Sequence, residues 1–170
     1  DSNLFKDIGK KSKLIFTAKS SKNNLQNCSY TSIYTTIAEV INSAKEYLIM
    51  VSWSYKRIND LPLIRDAVRA AIKRGVNVTV LYSDKMSEDK LAGTERELPK
   101  LVGKENVKSC CHKFQANHSK CVLSEKKGAM FTANIDGDSG LLSGFEIGCI
   151  LSDEQREQAN NRINQILKNG

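Results

Sequence analysis

Residues 47–53 (YLIMVSW) and 76–82 (VNVTVLY) are two mostly apolar runs separated by a segment of different period. In that segment Leu63, Ile64, Ala67, Val68, Ala71 and Ile72 recur at helical spacing, with Pro62 near the start and Gly75 after the end. A strand, a helix and a second strand in this order predict two parallel neighbours joined by a right-handed crossover. An apolar run with little alternation predicts a central strand covered on both faces. The expected fold class is therefore α/β, a mixed β-sheet flanked by helices.

The rest of the chain fills in around this unit. Leu14, Ile15 and Phe16 suggest a short strand, and residues 20–29 read as a polar loop. Ile33, Ile37, Val40, Ile41 and Ala44 make one helical face. Residues 83–94 are polar and read as a mobile loop, residues 95–102 as a short helix stopped by Gly103, and residues 107–111 as a strand. Cys121, Val122 and Leu123 form an apolar run, Lys126-Lys127-Gly128 a hairpin turn, and Ala129, Met130 and Phe131 the return strand. Residues 145–151 make a third strand with Glu146 set among apolar neighbours. Asp153 is expected to cap a last helix whose Ile163, Ile166 and Leu167 pack inward. Residues 1–30 form an N-terminal strand and linker, part of the same domain or the remnant of a preceding one, and residues 31–170 form the main domain. The chain begins with Asp1, which suggests a processed or excised fragment.

Charge and cysteine content narrow the partners. The 170 residues carry a formal net charge of +7, which favours a polyanionic partner, nucleic acid or an acidic membrane surface. No apolar run reaches the length of a membrane span, and no signal peptide is visible. The five cysteines, Cys28, Cys110, Cys111, Cys121 and Cys149, are odd in number and irregular in spacing, which argues against a disulfide framework and favours a cytoplasmic setting. Cys121 and Cys149 are expected to be buried thiols. Cys110-Cys111-His112 with His118 invites a zinc reading, but adjacent cysteines do not easily reach one tetrahedral ion, so no metal and no cofactor are expected. Three Asn-x-Ser/Thr triplets, at Asn27, Asn77 and Asn117, are discounted as glycosylation sites in so Asn-rich a chain.

The chemistry concentrates in one stretch. His118-Ser119-Lys120 is followed by Glu125, by Thr132-Ala133-Asn134 and then by Glu146. This order resembles the signature of the phospholipase D superfamily, in which H-x-K on a strand precedes an Asp, a Gly-Ser-x-Asn turn and a Glu. Here Glu125 stands where the Asp would be, Phe131 replaces the Gly, and Thr132 replaces the Ser. The resemblance implies the phospholipase D-like α/β fold and a metal-independent phosphodiesterase. His118 would be the nucleophile, attacking phosphorus to form a phosphohistidine. Lys120, Asn134 and the Thr132 hydroxyl would hold the phosphate oxygens, Glu146 would orient the His118 ring, and Glu125 would support the motif structurally.

The chain has one H-x-K, whereas the superfamily's site uses two, one histidine attacking and the other protonating the leaving oxygen. The second motif is expected from a homodimer partner or from a missing half. His112, the other histidine, has no partner lysine or following Asn and is not given that role. The expected substrate is DNA or RNA. The alternatives are a phospholipid headgroup, argued against by the polar character of residues 83–94, and a degenerate module that binds phosphate or nucleic acid without cleaving it.

Overall fold

The strand–helix–strand unit forms as its pattern requires. Strand β2 (Tyr47–Val51) and strand β3 (Asn77–Ser83) pair in parallel, Tyr47 opposite Asn77, and helix α2 (Pro62–Lys73) crosses between them. Pro62 stands in the first turn of α2, and Gly75 follows its end at φ +80°, a left-handed conformation that is strained for any residue with a Cβ. The computed structural model describes residues 13–19, 31–137 and 140–169. The loop expected over 20–29, with Cys28, and residues 138 and 139 lie outside them.

Before this unit come strand β1 (Lys13–Lys19) and helix α1 (Ile33–Ser43); after it come helices α3 (Glu88–Val102) and α4 (Val107–Cys110). Strands β4 (Cys111–Phe114), β5 (Cys121–Ser124), β6 (Gly128–Phe131) and β7 (Gly144–Ile150) and helix α5 (Asp153–Asn169) complete the chain. The seven strands form one sheet in the order β1-β7-β6-β5-β2-β3-β4. The β2–β3 and β3–β4 pairs are parallel and the others antiparallel, so the sheet is mixed. β1 joins the sheet through seven paired residues with β7.

Helices α1, α2 and α3 cover one face. Ile33, Ile37 and Ile41 of α1, Ile64 and Val68 of α2, and Leu98 and Leu101 of α3 meet Leu48, Met50 and Val80 of the sheet in the main core. Each such side chain contributes about 1.5–3 kcal/mol on full burial. On the opposite face a row of directly paired residues crosses six strands: Leu14, Cys149, Met130, Cys121, Val51 and Leu81. Helix α5 covers the Cys121–Val51–Leu81 half through Ala159, Ile163 and Leu167. The other half is bare, with Leu14 55%, Met130 52% and Phe145 74% exposed.

Several sequence expectations are corrected. Residues 83–94 are not a loop: helix α3 starts at Glu88, with Glu88 and Asp89 favourably placed at the positive end of its dipole. Met86 and Leu91 pack against the main core rather than standing isolated. The apolar spacing was obscured because Thr94, fully buried, occupies a position on the inward face. Pro99 sits within α3, and the burial of Leu98 and Leu101 beside it outweighs the one backbone hydrogen bond it removes. Residues 107–110 form a helical turn, and the strand starts only at Cys111. β2 ends at Val51, not at Trp53. Ser152 rather than Asp153 opens α5: Gln155 donates its N–H to Ser152 Oγ at 3.3 Å, and Ser152 donates its N–H to Gln155 Oε1 at 2.9 Å, a reciprocal capping box. Cys149 lies on the bare half-face and is only partly buried.

Candidate active site

The site forms where β5 begins and β6 ends. His118, Ser119 and Lys120 precede β5, and Thr132 follows β6. Phe131 donates its N–H to the Lys120 carbonyl at 3.1 Å, so the pairing runs one residue past the strands and sets the two segments side by side. A cavity of about 770 Å³ opens between this edge and α5. His118, Lys120 and Thr132 line it together, with Val51 and Met130 from the sheet and Arg162 from α5. Asn134 and Glu146 are not among its lining residues.

His118 is exposed, and its ring lies nearly parallel to that of Trp53, with centroids 6.2 Å apart and planes 14° apart. Trp53 is itself fixed, since its indole N–H donates to the Lys85 carbonyl at 3.0 Å and the Lys90 ammonium lies 4.7 Å from its ring centre. Lys120 is half-buried and makes no ion pair among the described residues. An ammonium with no ion pair among the described residues, lining the same cavity as an imidazole, suits the binding of a phosphate oxygen. The Asn134 amide oxygen is buried without a hydrogen-bond partner among the described residues. Such an atom costs on the order of 1–3 kcal/mol and is characteristic of functional sites.

Glu146 does not meet His118. Its carboxylate accepts a short hydrogen bond from the Thr132 hydroxyl, whose oxygen in turn accepts the Ile147 N–H at 3.1 Å. The sheet order explains the difference: β6 stands between the strand carrying Glu146 and the strand that His118 enters. Thr132 follows β6 and intercepts the carboxylate. Within the protein its hydroxyl has two acceptors, the Glu146 carboxylate and the Ile147 carbonyl at 3.2 Å, and both belong to β7, so Thr132 links β6 to β7.

Glu125 lies outside the cavity. Its carboxylate accepts the N–H groups of Lys45 (3.0 Å), Glu46 (3.3 Å) and Tyr47 (3.5 Å), fixing the turn from α1 into β2. Burial alone would raise its carboxyl pKa, but hydrogen bonds from its own amide and from those of Glu46, Lys45 and Tyr47 outweigh it and hold the group below the usual Glu range. A carboxyl depressed on folding stabilises the fold above its unfolded pKa, and this contribution is lost as pH falls through the folded value. Glu125→Ala should therefore cost about 1–2 kcal/mol at pH 7. In urea titrations the gap between variant and parent should narrow below about pH 4; an unchanged gap at low pH would contradict this role.

Among the described residues no group of three or more His, Cys, Asp or Glu side chains could hold a metal ion. Burial pushes the Cys121 thiol up to about 12; burial and then Cys110 do the same for Cys111. Neither forms much thiolate at neutral pH. Iodoacetamide at pH 8 should leave both unlabelled in the folded protein and modify both in guanidinium; rapid labelling of Cys121 in the native state would refute this. Asn117 is 7% exposed and its amide donates to the Ser52 carbonyl at 2.9 Å, so its triplet is closed to glycosylation.

Sequence reasoning missed Ser52, Trp53 and Arg162. Ser52 and Trp53 were absorbed into a strand, and Arg162 stands on a helix recognised only by its apolar face.

No curated protein matches the chain. Among solved structures it is similar to Nuc from Salmonella typhimurium, a phospholipase D family member, with TM-score 0.64 and 14% identity, covering 92% of this chain and 93% of that one. NucT from Helicobacter pylori gives TM-score 0.59 and 13% identity over 92% of this chain and 96% of that one. The phosphatidylserine synthase of Haemophilus influenzae gives TM-score 0.58 and 16% identity over 91% of this chain and 38% of that one. These likenesses show the phospholipase D-like fold. A family model described as "Cardiolipin synthase, PLD-like domain" matches residues 37–169, nearly the whole sheet and the entire H-x-K region, and the chain belongs to that family.

Proposed function

We propose that the protein is a metal-independent phosphodiesterase that hydrolyses nucleic acid through a phosphohistidine at His118. The observation that carries this reading is that His118 and Lys120, which has no ion pair among the described residues, line one cavity. Lys120 neutralises a non-bridging oxygen, which lowers the barrier to attack on an anion. A His118 ring nitrogen adds to phosphorus, the bond to the leaving oxygen breaks, and that oxygen takes a proton from a second imidazolium. Water then attacks phosphorus and gives a proton back to the second imidazole, the P–N bond breaks to regenerate His118, and a phosphomonoester leaves. Lys120 supplies the charge that a cation supplies elsewhere; Asn134, which follows Thr132 but does not line the cavity, would contribute only through its amide N–H groups on closure around substrate.

The second imidazole comes from another H-x-K, in a second copy of the chain or in a missing half. The bare half-face supports this, since Met130 belongs both to it and to the cavity wall. An apolar surface that borders an incomplete site is suited to a partner that completes it.

The same apolar residues favour a second reading, a phospholipid headgroup as substrate. The contrary argument from residues 83–94 falls away, because that segment is largely helix α3. The net charge of +7 favours nucleic acid. The test is cleavage of single- and double-stranded DNA, RNA and phosphatidylglycerol vesicles in excess EDTA. Nucleic-acid cleavage that survives EDTA is expected. Strict dependence on an added divalent ion, or cleavage of lipid alone, would overturn the proposal.

Binding should be electrostatic and weakly sequence-specific, since phosphate contacts carry no base information. Fluorescence anisotropy should give a log–log salt slope of about −3 to −5, at roughly −0.9 per duplex phosphate contact. A slope near zero would show that the lysines are scattered solubilising charges.

A further inference from the structure

Both halves of the candidate site are tied to one buried residue that neither motif contains. Ser52 follows β2, is completely buried, and has its backbone and side-chain groups engaged with four segments. Its N–H donates to the Leu81 carbonyl on β3 at 3.1 Å, and its hydroxyl donates to the Ser54 carbonyl at 2.9 Å. The same hydroxyl oxygen accepts the N–H of Ile135, the residue after Asn134, at 2.9 Å. Its carbonyl accepts the side-chain amide of Asn117, the residue before His118, at 2.9 Å. Asn117 completes the tie by accepting the Ser119 N–H on its Oδ1 at 3.0 Å.

We infer that Ser52 and Asn117 are positioning residues that hold the His118–Lys120 segment and the Asn134 turn in fixed relation. This rests on the phosphodiesterase reading. His118 and Ser119 lie outside regular secondary structure, and the β-ladder reaches only as far as the Lys120 carbonyl, so it does not set the conformation of His118 and Ser119. Asn117 does so from one side, and Ser52 anchors Asn117 while holding the Asn134 turn through Ile135. Ala133 and Ile135 are fully buried on either side of Asn134, so that turn has little freedom once the Ser52 bond is made. The Ser52 bonds to Asn117 and Ile135 are buried, and a buried hydrogen bond is costly to leave unmade. It fixes geometry where a displacement of about 1 Å costs on the order of 100-fold in rate.

The test compares Ser52→Ala and Asn117→Ala with Thr94→Ala. Thr94 is equally buried and accepts the Tyr55 N–H at 3.1 Å, but it touches neither segment of the site. With bis-p-nitrophenyl phosphate, Ser52→Ala and Asn117→Ala should each lower kcat by about 10–100-fold with KM changed less than about threefold. Thr94→Ala should lose thermal stability comparably and keep its kcat. The double variant should fall less than the product of the two single effects, because both act through one tie. A readout independent of hydrolysis separates failure of this inference from failure of the enzymatic reading. By NMR, the Ile135 amide should exchange faster in Ser52→Ala and the Ser119 amide in Asn117→Ala. The His118 ring signals should broaden or shift in both while those of His112 stay in place. Unchanged kcat and unchanged His118 signals, or a fall in kcat matched by Thr94→Ala, would overturn the assignment. A wild-type protein that does not hydrolyse the ester, yet shows the amide and His118 changes, would refute the enzymatic reading and leave the positioning role standing.

Discussion

His118→Ala is expected to reduce phosphodiester hydrolysis by a factor on the order of 10⁴–10⁶ while leaving the fold intact. His118 is exposed and makes no hydrogen bond among the described residues, so its truncation removes little packing and strands no buried polar group. If it attacks phosphorus, no neighbour can replace it. Lys120 is a cation, the Thr132 hydroxyl is bonded to Glu146, and burial pushes the Cys121 thiol up to about 12. Circular dichroism and a thermal melt should match the parent within about 2 °C, as expected of a surface substitution. Full activity in the folded variant would refute the assignment.

Gly148→Val is expected to produce a comparably large loss, but of stability. Gly148 sits opposite Phe131 in the β6–β7 ladder, one pair from the Thr132–Ile147 contacts. A Cβ there would lie 2.5 Å from the Met130 carbonyl oxygen and 2.7 Å from Phe131 Cβ. Neither atom can retreat cheaply, because the first is backbone and the second is attached to a ring buried to 7% exposure. Overpacking of this kind costs about 3 kcal/mol or more, a fall in Tm of roughly 6–12 °C for a chain of this size. Strand propensity alone gives the opposite sign, since valine is favoured over glycine in strands. A melt that rises or stays level would show that the β6–β7 pairing is not as described.

The contrast between local preference and tertiary contact also marks what could be read from the sequence. β2, α2 and β3 were legible as elements because apolar period, Pro62 and Gly75 point to the same strand–helix–strand order, although β2 ends two residues early. α3 was not, because a buried Thr94 and an internal Pro99 interrupt its pattern, and only packing against the core shows that Met86 and Leu91 belong inward. Of the four residues His118, Lys120, Thr132 and Asn134 that the linear order proposed for the site, three line one cavity. The partner of Glu146 was illegible, since it depends on β6 lying between β5 and β7. Ser52 was invisible for the same reason: it is 65 residues from Asn117 and 83 from Ile135, and nothing local marks a serine after a strand as the anchor of two distant loops.

The central claim is that His118 becomes covalently bonded to phosphorus. Its most direct test is to mix the protein with bis-p-nitrophenyl phosphate in EDTA and quench at neutral to alkaline pH in denaturant, because a phosphoramidate is acid-labile. Peptide mass spectrometry then locates any adduct. The account predicts a p-nitrophenyl-phosphoryl group on the peptide containing His118, absent from His118→Ala and removed by brief acid treatment. Hydrolysis that proceeds with no adduct on that peptide at any quench time, or an adduct carried by another residue, would contradict it.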